Sequence, residues 1–452
     1  MNPSTATLNP ALSVSRAGKS GGFYQRIILD ALTPMTLGCL HLELPDGTRK
    51  VFGQPGAEIS ASARITNANF FKRCLLFGDV GFGEAYVDGD WETDDITRVI
   101  SWFILNVENS PAMSGARGKK LLLNLLGRYN RIQHLLRPNS LTTSRRNISE
   151  HYDLGNDFYK LFLDPTMTYS SALFDERSGV SAERRNILAK DSAALCRGAA
   201  TQTLEEAQIA KYDALCRKLK LKPTDHVLEI GSGWGGFSCH AAKNYGCRIT
   251  TVTISEEQFK YASARFQKEG VADRVEIKLM DYRLITGQFD KIASIEMLEA
   301  VGHAYHEIYF AKCHELLKRD GLLGLQMITC ADARYDSLRK NVDWIQKHIF
   351  PGSLLLSVGR VNEALNKTGD LFLHDFLDMG NSYAKTLKLW REKFNQKLEE
   401  IRALGFDEKF IRKWNYYFSY CEAAFAMRNI SVVQAVYTRP NNPTLQSPKG
   451  IL

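Results

Sequence analysis

The period of the apolar positions changes along the chain. "LHLELPDGTRKVFG" (40–53) alternates apolar and polar residues on either side of a Pro-Asp-Gly turn, which predicts a half-buried hairpin. Short strands and turns are expected to continue through "GDVGFGEAYVDGDWE" (78–92), giving a small mixed α/β unit over residues 23–108. "TLEEAQIAKYDALCRKLKL" (203–221) reads as a helix opening on a capping box from Thr203 to Glu206. Beyond it, strands at "HVLEIG", "RITTVTI", "VEIKL", "KIASIEM" and "GLLGLQMI" alternate with helices through "GFSCHAAKNY", from Glu256, and through "YFAKCHELL". That alternation calls for an α/β fold, a mostly parallel sheet with helices on both faces. Residues 331–435, richer in helix and aromatics, are expected to cover the sheet's carboxyl edge, and 439–452 to form a flexible tail.

The turn after the first of these strands, "HVLEIGSGWGGFS", carries Gly231, Gly233 and Gly236 at the spacing G-x-G-x-x-G. Glycines between strand and helix let a ligand approach the backbone, and the helix amides attract electron-rich groups. A dinucleotide pyrophosphate fits poorly. Glu229 would repel it, and "TVTIS" closes the second strand without the acidic residue that grips a ribose. S-adenosylmethionine carries no phosphate and presents an ammonium and a sulfonium, which Glu229 would attract. Asp281, after the third strand, is placed either to accept from an adenine amine or ribose hydroxyl or to cap a helix.

The chain has 452 residues and a net charge of +8. Positions 109–149 hold eight Lys/Arg and no acid, and the apolar residues Leu122, Leu125, Tyr129, Ile132 and Leu136 recur there at helical spacing. This predicts a basic amphipathic helix over 109–147, suited either to an anionic membrane surface or to packing on its own domain. Residues 1–22 are polar and small, as in a disordered leader, and no apolar run approaches a membrane span. Nine scattered cysteines without a C-x-x-C pair argue against a zinc site and against a disulfide framework, consistent with a reducing cytoplasm.

"HYDLGNDFYKLFLDPTMTYSSALF" (151–174), "VLEIGSGWGGF", "VTISEEQ", "DYR", "SIEMLEAVG" and "YYFSYCEAAFAMRNI" follow one another in an order that resembles the cyclopropane-fatty-acyl-phospholipid synthase and mycolic acid cyclopropane synthase family. The resemblance spans residues 148–438. It implies a class I, Rossmann-like S-adenosylmethionine methyltransferase with a helical lipid-binding cover, acting on the cis double bond of an unsaturated phospholipid acyl chain at a membrane. A homodimer is an open expectation, and no nucleic acid partner is expected. Cofactor contacts would fall on Tyr152, Tyr169, Ser170, Gly231, Gly233, Thr253, Ile254, Gln258, Tyr282 and Ile295, beside Glu229 and Asp281. The family's cyclopropane-forming members hold a bicarbonate, and those positions map to Ser171, Glu299, Gln326, Ile328 and Tyr383. Serine replaces a cysteine and Gln326 a histidine, so the anion's hold and the product, ring or methyl/methylene branch, stay open. Cys421 matches a proposed active-site cysteine and also reads as a small buried residue.

Two other readings compete. Nucleobase methylation would suit the charge, but "SIEMLEAVG" stands where such enzymes carry an Asn/Asp-Pro-Pro-aromatic turn. A degenerate lipid-binding protein would keep the fold without turnover, as the two changed anion-site positions suggest.

Overall fold

The structure, a computed structural model, describes residues 21–108, 154–175 and 202–445. Tyr152, the basic segment 109–147, most of the leader and the end of the tail lie outside the described residues.

The amino-terminal unit starts with α1 (Gly21–Leu32), two residues inside the expected leader. The hairpin of β1 (Cys39–Glu43) and β2 (Arg49–Gly53) forms as predicted, with β1 also pairing in parallel with β3 (Ser60–Ile65). The glycine-rich stretch after it departs from expectation. Most of it is the second half of α2 (Asn69–Val87), which kinks at Gly78 where φ is 59°. The glycines there serve close packing: a Cβ on Gly83 would lie 2.5 Å from the Trp344 ring and 2.8 Å from Tyr416. A short strand β4 (Trp91–Glu92) and helix α3 (Ile96–Leu105) complete the unit.

After the short helix α4 (Asn156–Lys160), α5 (Leu204–Lys218) opens on the predicted capping box. The sheet strands then alternate with helices: β5 (His226–Ile230), α6 (Gly236–Tyr245), β6 (Arg248–Thr253), α7 (Glu256–Lys268), β7 (Val275–Leu279), β8 (Phe289–Ile295), α8 (His306–Leu316) and β9 (Leu317–Cys330). β5 is buried almost throughout, as a central parallel strand must be. It lies between β6 and β8, so the strand order reverses at its carboxyl end, where open α/β sheets place their ligands.

Residues 331–435 were expected to supply a cover only. They supply α9 (Asp332–Lys340), α10 (Trp344–His348), α11 (Val358–Thr368), α12 (Gly380–Gln396), α13 (Leu398–Ala403) and α14 (Glu408–Ala426). They also supply two sheet strands, β10 (Phe372–Asp378) and β11 (Ile430–Thr438), giving the seven-strand order β10-β11-β9-β8-β5-β6-β7. β11 runs antiparallel to both β9 and β10, so it adds to the sheet without a crossover of its own. The expected tail is also ordered over 439–445: Arg439 donates to the carbonyls of His314 and Leu317, and buried Asn442 donates to the Asp320 carbonyl.

The amino-terminal unit and the cover share one apolar core, in which Trp91, Trp102, Trp344, Trp390 and Trp414 are almost wholly buried. Polar ties reinforce it: Arg412 donates to the Tyr86 carbonyl at 2.5 and 2.8 Å, and Lys347 and His348 both reach Glu84. Gly83→Ala tests this packing. Helix propensity favours alanine by about 1 kcal/mol, but overpacking against two rigid rings costs about 1–3 kcal/mol. Net destabilisation is expected, seen as a lower denaturant midpoint; a raised midpoint would mean the interface is loose.

Candidate active site

A cavity of about 380 Å³, ordinary in size for a cofactor pocket, opens beyond the carboxyl ends of β5, β6 and β8. At one end it is lined by the glycine turn, and at the other by Tyr383, Leu387, Tyr417, Phe425 and Ile430 of the cover. The turn is built for close approach. Gly231 and Gly233 have φ of 96° and 49°, and the amides of Gly231 and Ser232 both donate to the Val252 carbonyl at 3.0 Å. Ser255 caps α7 by accepting from the Gln258 amide, while Gln258 accepts from Thr253 Oγ1 at 2.9 Å.

Glu229 sits 3% exposed at the end of β5, with Oε2 accepting from Ser238 Oγ at 2.5 Å and Thr251 Oγ1 at 2.6 Å. Burial outweighs these bonds and raises its pKa to about 7. A carboxyl poised in this way gains from a cation in the cavity. Asp281 is otherwise occupied. It caps a 3-10 turn through the Arg283 amide and pairs with the Arg283 guanidinium at 2.7 and 2.8 Å. The cap reading of Asp281 is therefore the one the geometry supports, although the residue lines the cavity.

Two acids, Glu296 and Glu299, line the same cavity, one on each side of Met297 and Leu298. Glu299 Oε1 accepts from the Ile328 amide at 2.5 Å, and its Oε2 is buried with no hydrogen-bond partner. Burial, followed by repulsion from Glu296, raises its pKa to about 8. Glu296 follows β8 in the left-handed region, with φ of 48°, a conformation costing about 1–3 kcal/mol for a residue with a side chain. The turn is held by its own amide, which donates to the Gln326 carbonyl at 2.7 Å. Its carboxylate collects three donors. Oε1 accepts from the Ser171 amide at 2.8 Å and Gln326 Nε2 at 2.8 Å, and Oε2 accepts from the Tyr383 hydroxyl at 2.9 Å. Burial raises the Glu296 pKa, and the Lys211 ammonium is the main influence against that rise.

Lys211 is fully buried on α5, donating to Ser170 Oγ at 2.7 Å; burial lowers its pKa to about 8 despite attraction by Glu296, Asp164 and Glu229. The Gln326 amide is oriented from behind: Gln434 on β11 donates to its Oε1 at 3.1 Å, leaving Nε2 to face Glu296.

The family model for mycolic acid cyclopropane synthetase matches residues 139–435, about two thirds of the chain. The chain belongs to this family. It is 37% identical over 376 residues to the tuberculostearic acid methyltransferase of Mycobacterium tuberculosis, covering 82% of each. It is 35% identical over 425 residues to the cyclopropane-fatty-acyl-phospholipid synthase of Escherichia coli, covering 90% of this chain and 97% of that one. Among solved structures, the cyclopropane synthase MmaA2 from M. tuberculosis superposes with a TM-score of 0.56 at 30% identity, covering 65% of this chain and 98% of that chain. The mycolic acid cyclopropane synthase CmaA1, solved with SAH and CTAB, gives 0.55 at 29%, covering 65% of this chain and 98% of that chain.

Of the residues expected from the family resemblance to contact the cofactor, Tyr169, Ser170, Gly231, Gly233, Thr253, Ile254, Gln258, Tyr282 and Ile295 all line the cavity. Glu299, Ile328, Tyr383 and Cys421 line it as well. Ser171 and Gln326 stand behind this lining and reach it through Glu296. The sequence reading missed Glu296 and Lys211. For Glu296 the signal was present: "SIEMLEAV" holds two acids in one apolar run, and the cost of burial applies to both.

Cys421 is half-buried among aromatic residues, and burial pushes its thiol pKa well up. A thiol held protonated is a poor nucleophile. Cys421 is therefore expected to resist iodoacetamide at about pH 8 in the native protein and to react fully once unfolded, as read by peptide mass spectrometry. Rapid native labelling would contradict a purely packing role.

Proposed function

We propose that this protein is an S-adenosylmethionine-dependent C-methyltransferase that adds a one-carbon unit to the cis double bond of an unsaturated acyl chain carried on phospholipid. One observation carries the reading: a single cavity is lined by a glycine turn flanked by a buried carboxyl, by apolar and aromatic residues of the cover, and by two further buried acids, Glu296 and Glu299. The relatives named above for fatty-acyl-phospholipid and mycolic acid chemistry support the substrate class.

The residues fit the cofactor. Glu229 faces the cavity with a carboxyl that a cation would help to ionise, and the positive-φ glycines leave the backbone open to a flat ring system. When bound, the cofactor supplies an electrophilic methyl group. The chain's own residues supply the rest. Tyr169, Phe350, Leu387 and Phe425 exclude water, so that charge on the acyl chain meets fixed groups instead of solvent. The rings of Tyr383, Tyr417 and Phe425 line the cavity and bring π-electron density close to a developing cation. The Glu296 carboxylate in the cavity wall complements its charge and offers a place for a proton. The product is a cyclopropane or a methylene-branched chain, both heavier by the same CH₂.

An acyl chain in a bilayer also requires approach to a membrane. The basic run in the 109–149 segment supplies the charge for an anionic surface, at about 1 kcal/mol per Lys or Arg near it. Among the described residues no helix is long and apolar enough to cross a membrane.

Incubating the protein with methyl-labelled cofactor and cis-monounsaturated phospholipid vesicles is expected to label the acyl chain. Product NMR then separates upfield cyclopropyl protons from methylene signals; no label on any unsaturated lipid would overturn the reading. Cofactor binding has its own signature. At about pH 7 Glu229 is half protonated and Lys211 largely charged. An incoming cation lowers both pKa values, so binding is expected to release protons, and less of that release comes from Glu229 as pH rises above its pKa. Calorimetry in buffers of different ionisation enthalpy measures this; net proton uptake would contradict the placement of the cation beside Glu229.

A further inference from the structure

The family resemblance implies a bicarbonate held by the groups at Ser171, Glu299, Gln326, Ile328 and Tyr383. The residues present do not fit one. The Ser171 amide, the Gln326 amide group and the Tyr383 hydroxyl all donate to Glu296, and the Ile328 amide donates to Glu299. Each donor that would grip a free anion already holds a carboxylate of the chain. A further anion would stand beside the Glu296 carboxylate, and of these groups only the Glu299 carboxyl keeps an oxygen without a partner to meet it.

We propose that Glu296 is a built-in replacement for that anion, and that its carboxylate takes the proton that leaves the methylated acyl chain. This rests on the acyl-methylation reading above. Three observations converge on the residue. Its backbone is held in a left-handed conformation that glycine would adopt freely, which a side chain there must justify. Its two oxygens are satisfied by three donors from three separate segments of the chain. It lines the same cavity as Glu299, Tyr383 and the glycine turn.

The proton balance is simple. Once the double bond has taken up the methyl group, the acyl chain carries one positive charge. A C–H bond of the added methyl group breaks, and its electron pair closes the three-membered ring or, after a 1,2-hydride shift has moved the charge onto the methyl-bearing carbon, forms the C=C bond of a methylene branch. The proton goes to a Glu296 oxygen and later to solvent, so no oxidant, reductant or second anion is required. Lys211, attracted to Glu296 from behind the wall, favours the ionised form that accepts the proton.

The test compares the full-length protein with Glu296→Gly in CO₂-free buffer, with and without millimolar bicarbonate, using cis-monounsaturated phospholipid vesicles and labelled cofactor. Glycine suits the backbone at this position, so the variant should fold and bind S-adenosylhomocysteine with unchanged affinity, checked by calorimetry. The natural protein is expected to turn over at the same rate with and without bicarbonate. Glu296→Gly is expected to fall by about 10²-fold or more without bicarbonate, the range of a lost general base, and to recover at least about tenfold when the anion is added to the vacated donors. A natural enzyme that loses activity when bicarbonate is removed, or a glycine variant as fast as the natural enzyme without it, would overturn the proposal. Failure of the natural enzyme to label any unsaturated lipid, with or without bicarbonate, is a separate pattern that would sink the acyl-methylation reading itself.

Discussion

Two carboxylates enclosed in an apolar cavity are the constraint around which the molecule is arranged. Glu296 could not remain ionised there without its three donors, because a desolvated charge is too costly to leave unpaired, and Glu299, with one donor, is instead pushed towards its neutral form. The donors come from widely separated parts of the chain: the backbone at Ser171, the strand β9, and the helix α12. Each must be in place before the site exists. The sheet, the segment leading into it and the cover are thereby tied to one point, and the lipid channel runs past that point.

The arrangement beyond those contacts serves to hold them still. β11 enters the sheet against β9, and in that register Gln434 faces Gln326 and sets its amide. The amino-terminal unit never touches the carboxylates, yet it shares an apolar core with α10, α12 and α14, the helices that wall the channel. Through Gly83 against Trp344 and Arg412 on the Tyr86 carbonyl, it braces the cover from outside. A dry channel suited to a carbocation needs walls that do not breathe, and an outer layer of packing is a physical way to obtain them.

Much of this was legible in the residues. Alternation of strand and helix from 203 to 328 marked the parallel sheet, and its glycine turn with Glu229 marked a pocket for a cation. What escaped were features whose cause lies in tertiary contacts. The glycines of 78–87 looked like turn residues, but they permit helix α2 to approach aromatic rings that are distant in sequence. "ISVVQAVYT" and "FLHDFLD" follow or precede strong helices, and their place in the sheet is fixed only by pairing with β9 and with each other. Asp281 could be read as a nucleoside ligand or as a cap, and the capping bond with the Arg283 pairing became visible only in the structure, where the residue also lines the cavity. Glu296 was overlooked because a role was sought for one acid in "SIEMLEAV" when burial demanded an account of two.

The most direct test of the central claim is a crystal structure of the protein with S-adenosylhomocysteine, grown in the presence of bicarbonate. The account predicts the Glu296 carboxylate bonded to the Ser171 amide, the Gln326 side chain and the Tyr383 hydroxyl, with no trigonal anion beside it. Density for carbonate on those three donors, with the Glu296 side chain turned away, would contradict it.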